Sequence, residues 1–276
     1  MNSTSMVLQL GLIYGIVALG VFFTFRALNF ADMTVDGSFI VGGCVASVAV
    51  GRGFCPITAI LFACAAAASV GLFTAHLHVK FQIGDLLAGI VVASMCYSLG
   101  LRIMGGAPNV VFKSPESCRA MLPLFCLCVA AAAAYILCTD FGLAFRCVGL
   151  NRRLAKSQNI SAGAMIYFGV AFGNCCAGAA GAFFCLTHGF CDIGSGVGTL
   201  IGGLAALIIG ETLFPFHSAA GKITACFLGS IAYRAAVAFA LHSDLPFLRA
   251  SDFNMITGLL VVLFLATKRK QCHADS

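Results

Sequence analysis

Apolar residues in this chain come in long, nearly unbroken runs, and short polar stretches separate them. A helix needs roughly 20 such residues to cross a bilayer core. Residues 7–25, 57–75, 86–104, 121–138, 163–186, 193–210 and 223–241 all meet or approach that length. A shorter run at 39–50, begun near Val35, and a last one at 255–267 complete the set. The pattern predicts an all-α polytopic membrane protein with about 8–9 transmembrane helices. The first run has neither a basic segment before it nor a small-residue cleavage site, so it reads as a retained span.

Two stretches depart from this pattern. The first, RALNFADMTVDGSFIVGG, holds Arg26, Asn29, Asp32, Thr34, Asp36 and Ser38 between two apolar runs. Such a cluster needs water, protein partners or a cavity. It is either a short polar loop or a broken or re-entrant segment near residues 26–38. In the second case Asn29, Asp32, Thr34, Asp36 and Ser38 would border a translocation pathway. Asp36 also suits the N-cap of the helix that follows, accepting from the N–H of Ser38 or Phe39.

The second stretch, FGLAFRCVGLNRRLAKSQNISA, is amphipathic rather than uniformly apolar. Leu143, Ala144, Cys147, Leu150 and Leu154 recur at helical spacing, and Arg146, Arg152, Arg153 and Lys156 supply a basic face. This predicts a short helix over 143–158, or two pieces around Gly149, favoured at its start by Asp140. Glycine costs about 1 kcal/mol relative to Ala within a helix, which places the break at Gly149. A basic amphipathic helix between spans belongs in the cytoplasm. It can lie on lipid, or bury Leu150 and Leu154 in a partner's groove while the arginines meet acidic rims. Charge alone equally fits a solvated basic loop.

Smaller signals add detail. The run at 163–186 is thick with Gly and Ala, and Gly194, Gly198 and Gly202 lie four apart, a bare face for close helix packing. His76, His78 and Lys80 read as a polar loop, and histidines at i and i+2 do not share a helix face, so no metal site is expected. The 15 cysteines are scattered, with no paired CxxC elements at zinc spacing, and read as packing residues.

Composition excludes whole classes. The chain is 61% hydrophobic and 9% charged, with a mean hydropathy of +1.01, whereas soluble domains carry about 25% charged residues. The net charge of +6 is not a nucleic-acid signal, because the cations sit between and after apolar spans. With the C-terminus cytoplasmic, Arg26, Lys80, Arg146, Arg152, Arg153, Lys156, Lys222, Lys268, Arg269 and Lys270 lie inside. Only Arg52, Arg102, Lys113, Arg119 and Arg249 lie outside, and Arg234 falls within a span, which fits the positive-inside rule. No G-x-x-x-x-G-K-[ST] is present, so uphill transport would need ATP bound by a separate subunit. Two other classes stay open. A stand-alone secondary transporter or channel would use Asp32, Asp36 and Arg234. An intramembrane serine protease would use Ser195 with His188 or His242.

Three stretches carry a family resemblance: NFADMTVDGSFIVGG, FRCVGLNRRLAKSQNISA and GSGVGTLIGGLAALIIGETLF. Over residues 7–268 the chain resembles the permease subunits of bacterial ATP-binding-cassette (ABC) importers of the branched-chain amino acid, ribose and autoinducer group. LLAGIVVASMCYSLGLRIMGG points to an aromatic amino acid-type subgroup. Arg146, Gly149, Asn151, Ala155 and Ile160 match the family's cytoplasmic loop. Cys147 stands in place of the usual Ala, Arg152 and Arg153 where acids are common, and Ser157-Gln158-Asn159 in the usual small-residue region.

The resemblance implies one permease domain, residues 1–276, with a coupling loop at 140–160 and a cytoplasmic tail at 268–276. It implies a pathway for a small solute, an amino acid, across a bacterial inner membrane. Coupling to an ATPase subunit would run through Arg146, Gly149, Leu150, Asn151, Arg152, Arg153 and Leu154. No cofactor is expected in this chain, with ATP and Mg held by the partner, and the chain itself is not an enzyme. Further partners would be an extracytoplasmic binding protein and a second permease chain, identical or related.

Overall fold

The computed structural model describes residues 3–114, 117–216, 218–242 and 258. Nearly all of the last apolar run and the tail at 268–276 lie outside the described residues. Among the described residues seven helices are long and apolar enough to cross a membrane, and Val35–Gly51 is a shorter apolar helix.

Helix α1 (Ser3–Val21) continues as a π-helical turn, Phe22–Ala27. There the Thr24 hydroxyl donates toward the Gly20 and Val21 carbonyls, competing with the regular ladder. The chain turns at Asn29, with φ +54°, and α2 (Val35–Gly51) begins. Then come α3 (Pro56–Phe81), α4 (Asp85–Ile103), strand β1 (Asn109–Val111) and α5 (Ser117–Cys138). Two short helices, α6 (Asp140–Leu150) and α7 (Arg152–Ser157), lead into α8 (Ala162–His188). Strand β2 (Phe190–Asp192), a 3₁₀ turn (Ile193–Gly196), α9 (Thr199–Leu213) and α10 (Ala219–His242) follow.

Helix α8 is the centre of the fold, and its glycines explain why. A Cβ at Gly181 would run into the Phe39 carbonyl of α2, and one at Gly178 into Ala67 of α3. Small residues therefore let three backbones touch, as the composition of this run predicts. On the other side α1 packs against α9 and α10, where Ser230 Oγ donates to the Gly11 carbonyl at 2.7 Å. Strands β1 and β2 pair antiparallel, with Val110 opposite Cys191, and tie the α4–α5 connection to the end of α8.

Two expectations need correction. Residues 76–80 are not a loop: α3 runs on to Phe81. His76 Nδ1 meets the Tyr167 hydroxyl at 2.9 Å and His78 Nδ1 the Ile83 carbonyl at 2.8 Å, so the polar groups find partners without leaving the helix. Nor is 193–210 one helix. Gly198 has φ +86° and stands before the first turn of α9, while Gly194 belongs to the 3₁₀ turn. Gly194, Gly198 and Gly202 therefore do not form one helix face; Gly202 packs against the ring of Tyr14, and Gly194 lies beside the Asp192 carboxylate.

The chain ends of the helices sort into two faces. Arg26, Glu211, Lys222 and the α6–α7 region meet at one face, and Arg52, Arg102 and the β1–β2 pair lie toward the other.

Candidate functional site

Asp32 lies in the turn between the π-helical segment and α2 and is fully buried. Its Oδ1 accepts from the Thr34 N–H at 2.9 Å and from the Thr34 hydroxyl, and its Oδ2 accepts from Asn174 Nδ2 at 2.6 Å. Asn174 Oδ1 in turn accepts from Ser38 Oγ at 2.6 Å, and the hydroxyls of Thr34 and Thr74 are 3.0 Å apart. Thr34, Ser38, Thr74 and Asn174 are buried too. Thr34 and Asn174 donate to the carboxyl group directly and Ser38 holds Asn174 in place, so these buried polar groups are satisfied within the chain. Asn174 sits near the middle of α8, about 18 Å from its first residue at 1.5 Å per residue. The chain therefore folds back from the foot of α1 to mid-depth before α2 starts.

Asp36, in the first turn of α2, does not cap its own helix. Its Oδ2 accepts from the Gly198 N–H at 3.1 Å, and its Oδ1 from the Leu200 N–H at 2.7 Å and the Thr199 hydroxyl at 2.8 Å. A carboxylate from one broken element thus caps the start of the next, where orphan N–H groups and the helix dipole favour it. Helix α9, about 22 Å long, runs from this junction to Glu211, whose Oε1 pairs with Arg26 Nε at 2.8 Å. So α2 and α9 start together at mid-depth and run toward opposite faces. Beside the junction Val197 is 65% exposed.

The amphipathic stretch forms the second site. It is two helices, but the break is at Asn151, not Gly149. Asn151 has extended backbone, and its Oδ1 accepts from the N–H groups of Arg153 and Leu154 at 3.0 and 3.1 Å, capping α7. Gly149 stays helical because it must be small: a Cβ there would meet the Ala27 carbonyl at the end of the π-helical turn. Arg146 is anchored inward, donating from Nε to the Gly142 carbonyl and from Nη2 to the Leu137 carbonyl near the end of α5, both at 3.2 Å. Leu150 is 89% exposed and Leu154 52%, with Arg152 and Arg153 exposed beside them. Leu143, Cys147, Leu150, Leu154 and Ile160 line a groove of about 630 Å³.

The sequence matches the family described as the branched-chain amino acid transport system, permease component, over residues 3–265. The chain belongs to this family. A tyrosine transport system permease protein of Clostridioides difficile (strain R20291) is 34% identical over 273 residues, 97% of this chain and 92% of that one. An uncharacterised protein of Rickettsia prowazekii (strain Madrid E) is 26% identical, over 98% of this chain and 99% of its own. Among solved structures, an inward-facing metal-chelate-type ABC transporter shares the fold with a TM-score of 0.56 at 13% identity, covering 97% of this chain and 84% of that one. PsaBC of Streptococcus pneumoniae, solved with a Fab, gives 0.55 at 14% identity, over 95% and 89%. The chain is the permease component of an ABC importer.

In the permease, the sequence-predicted residues divide. Asp32, Thr34 and Ser38 share one buried network and Asp36 joins α9. Asn29 lies apart, exposed at the foot of α1. Arg146 and Gly149 support the amphipathic stretch from behind, whereas Leu150, Arg152, Arg153 and Leu154 face outward. Asn174, Thr74, Thr199 and Glu211 were not singled out by sequence. Asn174 had a signal, as the strongly polar residue in an otherwise Gly, Ala and Cys-rich run. Ser195 donates to the Asp192 carbonyl at 2.6 Å and His188 Nδ1 meets the Phe184 carbonyl at 2.8 Å, so these two are engaged locally. Arg234 lies over the ring of Tyr14, 3.5 Å from its centroid, inside the α1–α10 seam. Among the described residues no group of three or more His, Cys, Asp or Glu is placed to hold a metal.

Proposed function

We propose that the permease moves an aromatic amino acid of the tyrosine type into a bacterial cell across the inner membrane. ATP, with Mg, is hydrolysed on a separate ATPase subunit. The observation that carries the coupling is the α6–α7 bend: a rigid, capped pair of short helices with Leu150 and Leu154 turned outward beside Arg152 and Arg153. Exposed leucines flanked by cations fit a groove with acidic rims on a soluble partner. The clustering of Arg26, Arg146 and Lys222 at that face supports a cytoplasmic location for it, with the C-terminus on the same side. The substrate class rests on the Clostridioides difficile relative.

The pathway passes the mid-depth junction. Non-helical backbone at membrane depth is tolerated only against protein or a water-filled cavity. Val197 and Asp36 would form the near wall, with Asp32, Thr34 and Ser38 behind it and Asn29 at the inner mouth. A second permease chain, identical or related, closes the pathway, and an extracytoplasmic binding protein delivers the solute.

Reconstitution tests this. Permease, ATPase and binding protein in proteoliposomes should take up tyrosine only with ATP inside the ATPase compartment, and excess phenylalanine should compete better than ribose. Uptake driven by an ion gradient without the ATPase would replace the proposal with a secondary transporter. In the same vesicles Val197→Cys should react with a water-soluble maleimide and be protected by tyrosine; complete resistance in every nucleotide state removes the junction from the pathway.

A further inference from the structure

The foot of α1 borders a cavity of about 580 Å³, between Asn29 and the back of α6. Arg26, Arg146 and Lys222 line it, with Phe22, Phe25 and Leu137 as its apolar walls. Among the described residues two carboxylates lie near these cations: Glu211, in the adjoining cleft, is paired with Arg26, and Asp140 lines the neighbouring groove with Arg146. Arg146 is held in place before any ligand arrives, because two of its N–H groups are fixed on the carbonyls of Gly142 and Leu137. A guanidinium has five N–H donors, so others remain to offer.

The walls are the ends of three membrane helices: the foot of α1, the end of α5 and the start of α10. The outer surface of α5 above them exposes Leu124, Leu127 and Tyr135, as a lipid-facing helix does. Apolar walls beside cations match the polarity of a phospholipid, acyl chain then phosphate. Basic pockets between transmembrane helices on the cytoplasmic side bind anionic headgroups in this way.

We infer that this cavity holds the phosphate headgroup of an anionic phospholipid of the inner leaflet, with the first methylenes of its chains against Phe22, Phe25 and Leu137. The inference rests on the cytoplasmic placement of this face. An acidic loop of the ATPase is the less favoured occupant, because Phe22, Phe25 and Leu137 give the cavity an apolar wall that a charged loop leaves unmatched, although Arg146 and Leu150 also border the neighbouring groove. The bound lipid lies against the back of α6, through Arg146 and Gly149, and stiffens the element that meets the ATPase.

The test is native mass spectrometry of the permease–ATPase complex extracted from vesicles of phosphatidylcholine, phosphatidylglycerol and cardiolipin. The wild type should retain an anionic phospholipid for each permease chain. Lys222→Glu should lower that occupancy at least about fivefold, since a cation near the surface is worth about 1 kcal/mol, and Lys222→Arg should restore it. Lys222→Gln, read the same way, replaces Lys222→Glu if the latter does not assemble. Equal retention by wild type and the charge-altered variant overturns the inference. Displacement of the lipid by inorganic phosphate assigns the cavity to free phosphate, and displacement on adding the ATPase assigns it to the protein partner; either also overturns it. Lipid counting does not depend on which solute is carried, so a failed tyrosine assay leaves this result intact.

Discussion

The mid-depth junction and the α6–α7 bend are built on opposite terms. At the junction, polar groups are buried or half-buried and answer one another: Asp32 with Thr34 and Asn174, and the half-buried Asp36 with the N–H groups of Gly198 and Leu200 and the hydroxyl of Thr199. At the bend, apolar side chains are exposed and unanswered, Leu150 and Leu154 above all. Buried polar groups whose hydrogen-bond partners all lie in the same chain are satisfied without any other subunit. An exposed leucine next to arginine does nothing for the lone subunit, and its worth appears only when a partner covers it. The first region makes the fold and the second awaits the complex. Substitutions at the junction should therefore damage the isolated permease, whereas substitutions on the outer face of the bend should be silent until the ATPase is present.

The largest effect is expected from Asp36→Ala. It strands the N–H groups of Gly198 and Leu200 inside the membrane thickness, which costs on the order of 3 kcal/mol or more. Asp36→Asn keeps one acceptor oxygen and should lose roughly a third of that. Melting of the purified permease in detergent measures both, and an Asp36→Ala protein that melts with the wild type would break the comparison. Asn174→Leu comes next, at about 2 to 3 kcal/mol, because Asp32 and Ser38 each lose a partner at once. Restored stability in Asp32→Leu/Asn174→Leu, where both polar partners are gone, would confirm that the loss is one of unmatched polarity.

Gly149→Ala should cost about 1 to 3 kcal/mol by overpacking against the Ala27 carbonyl, and it should also weaken ATPase binding, since it moves α6 as a body. If Gly149→Ala lowers ATPase affinity without any change in melting, the glycine belongs to the outer surface and not to the support. The smallest effect on stability belongs to Leu150→Ala combined with Arg152→Glu and Arg153→Glu, within about 0.5 kcal/mol of wild type. The same variant should uncouple ATP hydrolysis from transport. Normal coupling would return the bend to the status of a solvated basic loop.

Much of this was legible in the sequence. Runs of apolar residues marked the spans, and the polar cluster at 26–38 marked a break that the structure contains. Helical spacing of Leu143, Leu150 and Leu154 marked the amphipathic stretch. What local pattern did not carry was long-range pairing. The run at 193–210 reads as one span because glycine is apolar and small, yet Gly198 takes a left-handed φ and Asp36, far away in sequence, supplies the cap. Gly149 read as a breaker because its cost is local, while its benefit, contact with Ala27, is tertiary. His76 and His78 read as a loop because their partners, Tyr167 and the Ile83 carbonyl, are not on the same turn.

The Asp32 and Asp36 contacts also set a schedule for biogenesis. Asp32 bonds Asn174 across 142 positions, and Asp36 bonds Leu200 across 164. At about 5 to 20 residues per second, those partners emerge from the ribosome roughly 7 to 30 s after the acids. During that interval the polar turn cannot settle among lipids, so α1 and α2 must wait beside the insertion machinery or keep the turn in water. Folding of the permease is thus gated by synthesis of its second half, and truncation before Asn174 should leave a first half that fails to leave the translocation site.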